Sequence, residues 1–398
     1  MIGAGPAGLS AAAELAGVGR CLLIEQGREH TARGRADPVD LLSGIGGAGL
    51  FSDGKHSFFP SASALWTLPD ASLLALAFDR TAVLLRRHGV ESGPWAAQAP
   101  VEATPGAWRF KPYPSRYMSL AQRMALIAEL SGVCERWTGA RVLAARRDDG
   151  QIRLTIAHEG TTREVRTPAL IVATGRLSPL WVRPWLTALG VRFGFRRLEF
   201  GVRIEAGAGS ALFTRLQGVD PKLCFVEPDG ATELRTFCTC RDGEVVRGEA
   251  DGISAYSGRA DGPPSGRSNL GLLVRIRDEA LARSVAPALF AAQPTSFPLA
   301  AADLATLGPV FGEAGAATML RALARLREWC PELSDQADAT LYAPCIEGVG
   351  EYPLDDGRLQ AAPGVWLAGD LCGRFRGIVA GMVSGRYAAL RRLDANVR

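Results

Sequence analysis

Asp53, Lys55 and His56 fall within four positions, directly after a glycine run at 44, 46, 47 and 49. A carboxylate, an ammonium and an imidazole this close together can hold and pass a proton. The glycines let the same backbone press against a ligand. Lys55, His56 and Asp53 are therefore candidate catalytic residues. Lysine occurs only at 55, 111 and 222, in a chain that otherwise uses arginine, so a compact ammonium has a reason to be kept at 55. The plain alternative is a solvated turn lysine beside a packed histidine. Cys238 and Cys240 alternate on an expected strand and share a face. They read first as small buried apolar side chains and second, for Cys238, as a catalytic thiol facing a bound cofactor. Arg203, Arg235 and Arg267 are candidate clamps for an anionic substrate. His30, His88 and His158 stand in surface-like contexts, and no metal-ligand set is expected.

Such groups need a rigid element behind them. The chain opens Met1-Ile2-Gly3-Ala4-Gly5-Pro6-Ala7-Gly8, a GxGxxG that runs into an alanine-rich helical stretch. Gly3 suits a tight turn off a strand, Gly5 the approach of a pyrophosphate, and Gly8 close helix–sheet packing. The helix start, with Pro6 at its first position, aims the N–H groups from Ala7 onward at phosphate. Cys21 to Ile24 form a second apolar strand, and Glu25 at its end is placed to hold ribose hydroxyls, with Gln26 beside it. Only Met1 and Ile2 precede the first glycine, where such a strand needs about five residues. The expectation is a misplaced start, with a fuller apolar strand encoded upstream.

Two distant segments complete the pattern. Ala169 to Val172 run into Ala173-Thr174-Gly175, and Gly364 to Ala368 run into Gly369-Asp370. The three parts, in this order, resemble flavoproteins of the glutathione-reductase and p-hydroxybenzoate-hydroxylase superfamily. That resemblance implies a discontinuous, Rossmann-type (GR2-like) FAD-binding domain holding FAD non-covalently. Asp370 would hold the ribitol, and the Thr174-Gly175 turn would pass close to the cofactor. The helix starting at Gly377 and Ile378 would turn its N–H groups to the flavin ring. The run Gly44 to Lys55, with Gly46, Gly47, Ala48 and Ser52 toward the cofactor, is similar to an uncharacterised bacterial family of FAD-dependent dehydrogenases. So are Glu199 to Glu205, Arg235 to Cys240 and Ser265 to Asn269. The turn after Asp370 departs from that family, which puts its substrate in doubt here.

The expected fold class is α/β. The FAD-binding domain takes 1–60, 110–180 and 351–398, a second mixed or antiparallel β substrate domain takes 181–350, and 61–109 is a connecting insertion. Helices are expected over 117–131, 276–291 and 314–330, and a three-stranded meander between 140 and 167. No second GxGxxG follows Gly175, so NAD(P)H would have to bind transiently, or the substrate itself reduces the flavin. The leading function is an FAD-dependent dehydrogenase or oxidase taking a hydride from a small organic molecule. The alternatives are a single-component monooxygenase and a non-catalytic FAD-binding or RNA-modification-associated protein. A net charge of +4 over 398 residues argues against nucleic-acid and membrane partners. No apolar run approaches the roughly 18 residues of a membrane span. The eight scattered cysteines, without CxxC, suit a reducing cytoplasm, and the excess of arginine, alanine and glycine suits a GC-rich bacterium.

Overall fold

The computed structural model describes residues 1–93, 105–111 and 113–395. The chain divides into two compact units. One comprises Met1–Gln98, Arg116–Gly194 and Tyr352–Arg398, the other Ala99–Ser115 and Phe195–Glu351.

The first unit is built on parallel strands. Leu22–Ile24 pairs in parallel with Glu135–Trp137, and Leu170–Val172 with Val365–Leu367. Ile2 sits between these pairs, bridging Ile24 on one side and Val172 on the other, both in parallel. Gln360–Ala362 closes the far edge antiparallel to Val365–Leu367. Leu-Leu-Ile, Leu-Ile-Val and Val-Trp-Leu are apolar runs, as strands covered on both faces require. The crossover from Ile2 to Leu22 is the helix Pro6–Leu15. Proline at its first position loses no bond, because that N–H has no intrahelical partner.

The last helix, Ile378–Asp394, packs along this first one. Close approach is what Gly385 supplies: a Cβ there would stand 2.0 Å from the Ala7 carbonyl oxygen. The two helices are also tied by a buried ion pair between Arg386 and Glu14. The meander is present as Arg141–Asp148, Gln151–His158 and Thr161–Thr167, antiparallel throughout. The helix expected over 117–131 begins later, at Leu120, because Ser119 and Gln122 form a reciprocal capping box. Tyr117 belongs to a short strand, Ser115–Tyr117.

The second unit is organised by a seven-stranded sheet in the order Thr295–Pro298, Thr340–Pro353, Phe193–Gly207, Arg267–Ile276, Thr232–Cys240, Lys222–Val226, Trp108–Lys111. Its defined registers are antiparallel, as expected for this region. A hairpin, Glu244–Ala250 with Ile253–Arg259, adds a separate layer. Helices Glu279–Ala291 and Leu304–Trp329 pack on each other. The second starts ten residues before the expected 314, because Asp303 caps it and a break at Gly312 (φ 68°) joins two helical pieces. The described parts of the 61–109 range divide between the two units. Ala71–Arg87 packs on the last helix within the first unit, while Trp108 and Arg109 run in the sheet of the second. Expectations on 94–104 lie outside the described residues.

Candidate functional site

The glycines of the opening loop do different work. Gly3 has φ +93°, and a Cβ there would lie 2.5 Å from the Ala173 carbonyl oxygen. At Gly8 a Cβ would lie 1.8 Å from the Gly3 oxygen. Both positions are glycine because the protein's own backbone fills the space. Gly5 is different. Its φ of −73° and ψ of −178° are ordinary extended values, and a Cβ would meet only Gly47 Cα, at 3.8 Å. It precedes the helix Pro6–Leu15, whose first turn has no side-chain cap.

A second glycine loop is laid against the first. Gly46 N donates to the Ala4 oxygen at 2.8 Å, and a Cβ on Gly47 would stand 2.9 Å from Gly5 Cα. Gly49 faces Pro6 and Ile378, with 3.0 and 3.3 Å to a built Cβ. Gly369, at φ +68°, closes from the other side, its built Cβ 2.9 Å from Ala7 Cβ. Gly3, Gly5, Pro6, Ala7, Gly8, Gly46, Gly47, Ala173, Gly369 and Ile378 therefore converge. Ala48 is exposed in the same loop, and Gly377 caps the last helix at φ +105°. Ser52 fixes the end of the loop: its hydroxyl donates to the Gly49 oxygen at 2.9 Å.

Several expected contacts are taken by the protein itself. Glu25 is buried, and its carboxylate accepts from Ala4 N at 2.8 Å, Gly27 N at 2.9 Å and Gly44 N at 3.0 Å. A carboxylate has about four acceptor sites, so Glu25 staples the two glycine loops and has little left for a ribose. Gln26 reaches Ser43 Oγ at 3.4 Å. Asp370 is held by Arg376, whose Nε donates at 2.6 Å. Thr174 Oγ1 bonds Ser178 Oγ at 2.7 Å, and Gly175 takes φ +88° at the turn.

The ionisable trio is not on a solvated turn. Lys55–Ser57 is a short strand. The Lys55 ammonium is 2% exposed and lies 3.0 Å from the Asp53 carboxylate. His56 is fully buried, and its Nδ1 faces the Gly54 oxygen at 3.2 Å. Burial pushes its pKa down to about 4, against the opposing pull of the Gly54 carbonyl. A near-neutral proton shuttle is therefore corrected to a neutral imidazole. His56 Nε2 has no hydrogen-bond partner, and the residue lines a narrow, mostly apolar slot with Pro6, Gly46, Leu50, Ile127, Ile378 and Met382. Arg123 also lines this slot, buried, with Nη1 donating to the Ser52 oxygen at 2.8 Å.

Cys238, the remaining catalytic candidate, belongs to the second unit. Two of the anion clamps are occupied: Arg235 pairs with Glu199, and Arg267 with Glu205 at 3.1 Å and Asp338 at 3.1 Å. The histidines are less exposed than their contexts imply. His158 is buried and stacks on Trp137 at 4.9 Å, and His88 meets Glu129 at 2.8 Å. Of Arg123 and Arg376, only Arg123 carries a signal in the sequence, since it shares the buried helix face with Ile127 and Leu130.

No family model matches this chain, and no curated protein does. Solved structures similar to it include AlpK, at 14% identity and a TM-score of 0.45, covering 98% of this chain and 60% of that one. A geranylgeranyl bacteriochlorophyll reductase-like protein from Thermoplasma acidophilum matches at 14% identity and a TM-score of 0.48, covering 99% and 78%. Aklavinone-11 hydroxylase, solved with FAD and aklavinone, matches at 13% identity and 0.44, covering 100% and 62%. The chain thus spans under two thirds of AlpK and of the hydroxylase. Among the described residues no helix is long and apolar enough to cross a membrane.

Proposed function

We propose that the first unit binds FAD non-covalently and that the chain is an FAD-dependent oxidoreductase, a dehydrogenase or oxidase acting on a small organic substrate. One observation carries this reading. Gly3 and Gly8 are demanded by the protein's own backbone, whereas Gly5 is not: its dihedrals suit any residue and a Cβ would fit. A glycine kept there, ahead of an uncapped helix start and beside a second glycine loop, leaves room for a ligand's pyrophosphate.

The residues that would hold the cofactor are Gly5, Pro6, Ala7, Gly46, Gly47, Ala48, Gly369, Asp370, Gly377 and Ile378. When bound, FAD supplies a two-electron acceptor for a hydride. Arg376 fixes the Asp370 carboxylate, so it presents a set orientation to a hydroxyl. The Ile378–Asp394 helix starts at Gly377 without a side-chain cap, which leaves its first N–H groups to favour negative charge. Asp53 keeps the buried Lys55 ammonium in place. His56, neutral, offers Nε2 as a hydrogen-bonding atom in the apolar slot.

The test is Gly5→Val. The variant should keep the fold and lose FAD, whereas Gly8→Ala should lose the fold, since its Cβ would meet a backbone oxygen at 1.8 Å. FAD should stabilise the wild type by about 2.7 kcal/mol at a hundredfold excess over Kd, and so raise its melting temperature. Full FAD content in Gly5→Val would overturn the assignment. Anaerobic mixing then separates the reactions. Fast reduction by NADPH alone favours the monooxygenase, and reduction only by an organic substrate favours the dehydrogenase or oxidase.

A further inference from the structure

A second chemical cluster is carried by strands of the second unit. The strand Thr232–Cys240 pairs with Arg267–Ile276, with Phe237 opposite Gly271 and Cys240 opposite Asn269. One extra residue is thus looped in between, and Cys238 takes a left-handed φ of +49°. In a flat strand, residues two apart are separated by about 6.7 Å, near the upper edge of what a disulfide spans. The bulge draws this pair together: the Cys238 and Cys240 sulfurs lie 3.7 Å apart, both reduced.

Arg203 lies against them, 2% exposed. Its Nε donates to Asn269 Oδ1 at 2.8 Å, and its Nη2 donates to the Cys238 oxygen at 2.6 Å and lies 3.7 Å from Cys240 Sγ. Among the described residues no carboxylate forms an ion pair with Arg203. A buried cation without an anion is costly, and a thiolate is the anion at hand. Burial draws the guanidinium pKa down, yet the sulfurs of Cys240, Cys238 and Cys345 hold it above its usual value. Space for the arrangement is reserved by glycines. A Cβ at Gly258 would stand 2.1 Å from Arg203 Nη2, and one at Gly243 would stand 3.1 Å from Cys240 Cβ.

We propose that Cys238 and Cys240 are a redox-active dithiol, activated by Arg203, which a hydroperoxide converts to an intramolecular disulfide. Cys238 is the more exposed residue and attacks first; Cys240 is fully buried and resolves. The Cys238 thiolate attacks the terminal peroxide oxygen and the O–O bond breaks. Cys238 becomes a sulfenic acid, and the leaving oxygen takes a proton and departs as alcohol, or as water from hydrogen peroxide. Cys240 then attacks the sulfenic sulfur. The S–S bond forms, and hydroxide leaves with the Cys240 proton as water. Two thiols lose two electrons in total, and the peroxide gains them.

Trypsin makes the test direct. Cleavage after Arg235 and Arg241 releases Thr236–Arg241, which carries Cys238 and Cys240 and no other cysteine. The protein as purified is treated with hydrogen peroxide, its remaining thiols are alkylated, and this peptide is weighed. The expected peptide is lighter by two hydrogen atoms, carries no alkyl group, and appears before the other cysteines react. A dithiol reductant should reverse it. In Cys240→Ser the reaction should stop at a Cys238 sulfenic acid that dimedone traps. Arg203→Met should slow the first step about tenfold at neutral pH, the change in thiolate fraction for one pKa unit, and Arg203→Lys should restore most of it. The proposal is overturned if the wild-type peptide stays doubly alkylated at doses that oxidise other cysteines. A sulfinic Cys238 beside a still-alkylated Cys240 overturns it equally.

Discussion

Replacing His56 by glutamine should make the protein less sensitive to acid. The imidazole is fully buried and its pKa falls from 6.5 to about 4, chiefly through burial. Between those values the unfolded chain binds a proton that the folded chain excludes. Stability is therefore complete above pH 6.5 and is lost as the pH falls toward 4. The full difference, about 2.5 pKa units at 1.36 kcal/mol each, is about 3 kcal/mol, and roughly 2 kcal/mol of it is already lost near pH 5. Glutamine keeps a polar tip that can donate to the Gly54 oxygen but does not titrate. Urea denaturation of both proteins near pH 7.5 and near pH 5 gives the difference of differences. The wild type should lose about 2 kcal/mol more than His56→Gln over that interval. Nuclear magnetic resonance of the His56 ring should show an apparent pKa close to 4. Equal losses in the two proteins, or a ring pKa of about 6 or above, would refute the neutral imidazole and return His56 to the proton shuttles.

Two further outcomes follow from buried charges. Lys55→Met removes the ammonium 3.0 Å from Asp53 and should cost about 3–5 kcal/mol, as breaking a buried pair does, while the double variant with Asp53→Asn recovers most of it. Both proteins should retain FAD and lose turnover, read as kcat against cofactor content; unchanged kcat would remove Lys55 from the site. Glu199 is fully buried among Arg197 at 3.1 Å, Arg275 at 3.2 Å and Arg235. Glu199→Gln should lower stability by about 3–5 kcal/mol, and a melting temperature within error of wild type would contradict that.

The parallel sheet was readable because its strands are short apolar runs bounded by glycine, and because Gly3, Gly175 and Gly369 mark positive-φ turns that only glycine makes without strain. The meander and the long strands of the second unit were readable from alternation and from turns such as Asp242-Gly243. The ionisable residues were not. Glu25 reads as a ligand because its position suits one, yet three backbone donors claim it, and which donors reach a carboxylate depends on how two distant loops meet. Lys55 looks solvated among Ser, Asp and Gly, and the residues that share the slot with His56 come from elements far along the chain, such as the Leu120–Ser131 helix. Arginine is so frequent that Arg376 on Asp370 carries no local mark. The contact of Cys238 with Cys240 depends on a bulge, which strand alternation cannot show.

The pairing of the first helix with the last sets a timetable for synthesis. Glu14 meets Arg386 across 372 residues of chain. At about 5–20 residues per second, roughly 20 to 75 seconds separate the emergence of the two partners. Throughout that interval the Pro6–Leu15 helix has no surface to cover Ala7, and Ile2 lacks its Val172 neighbour for much of it. Residues 195–351 can complete their own sheet while the first unit waits. A newly made chain therefore carries an unfinished parallel sheet until its final helix arrives, and holdase chaperones would have that long to engage it.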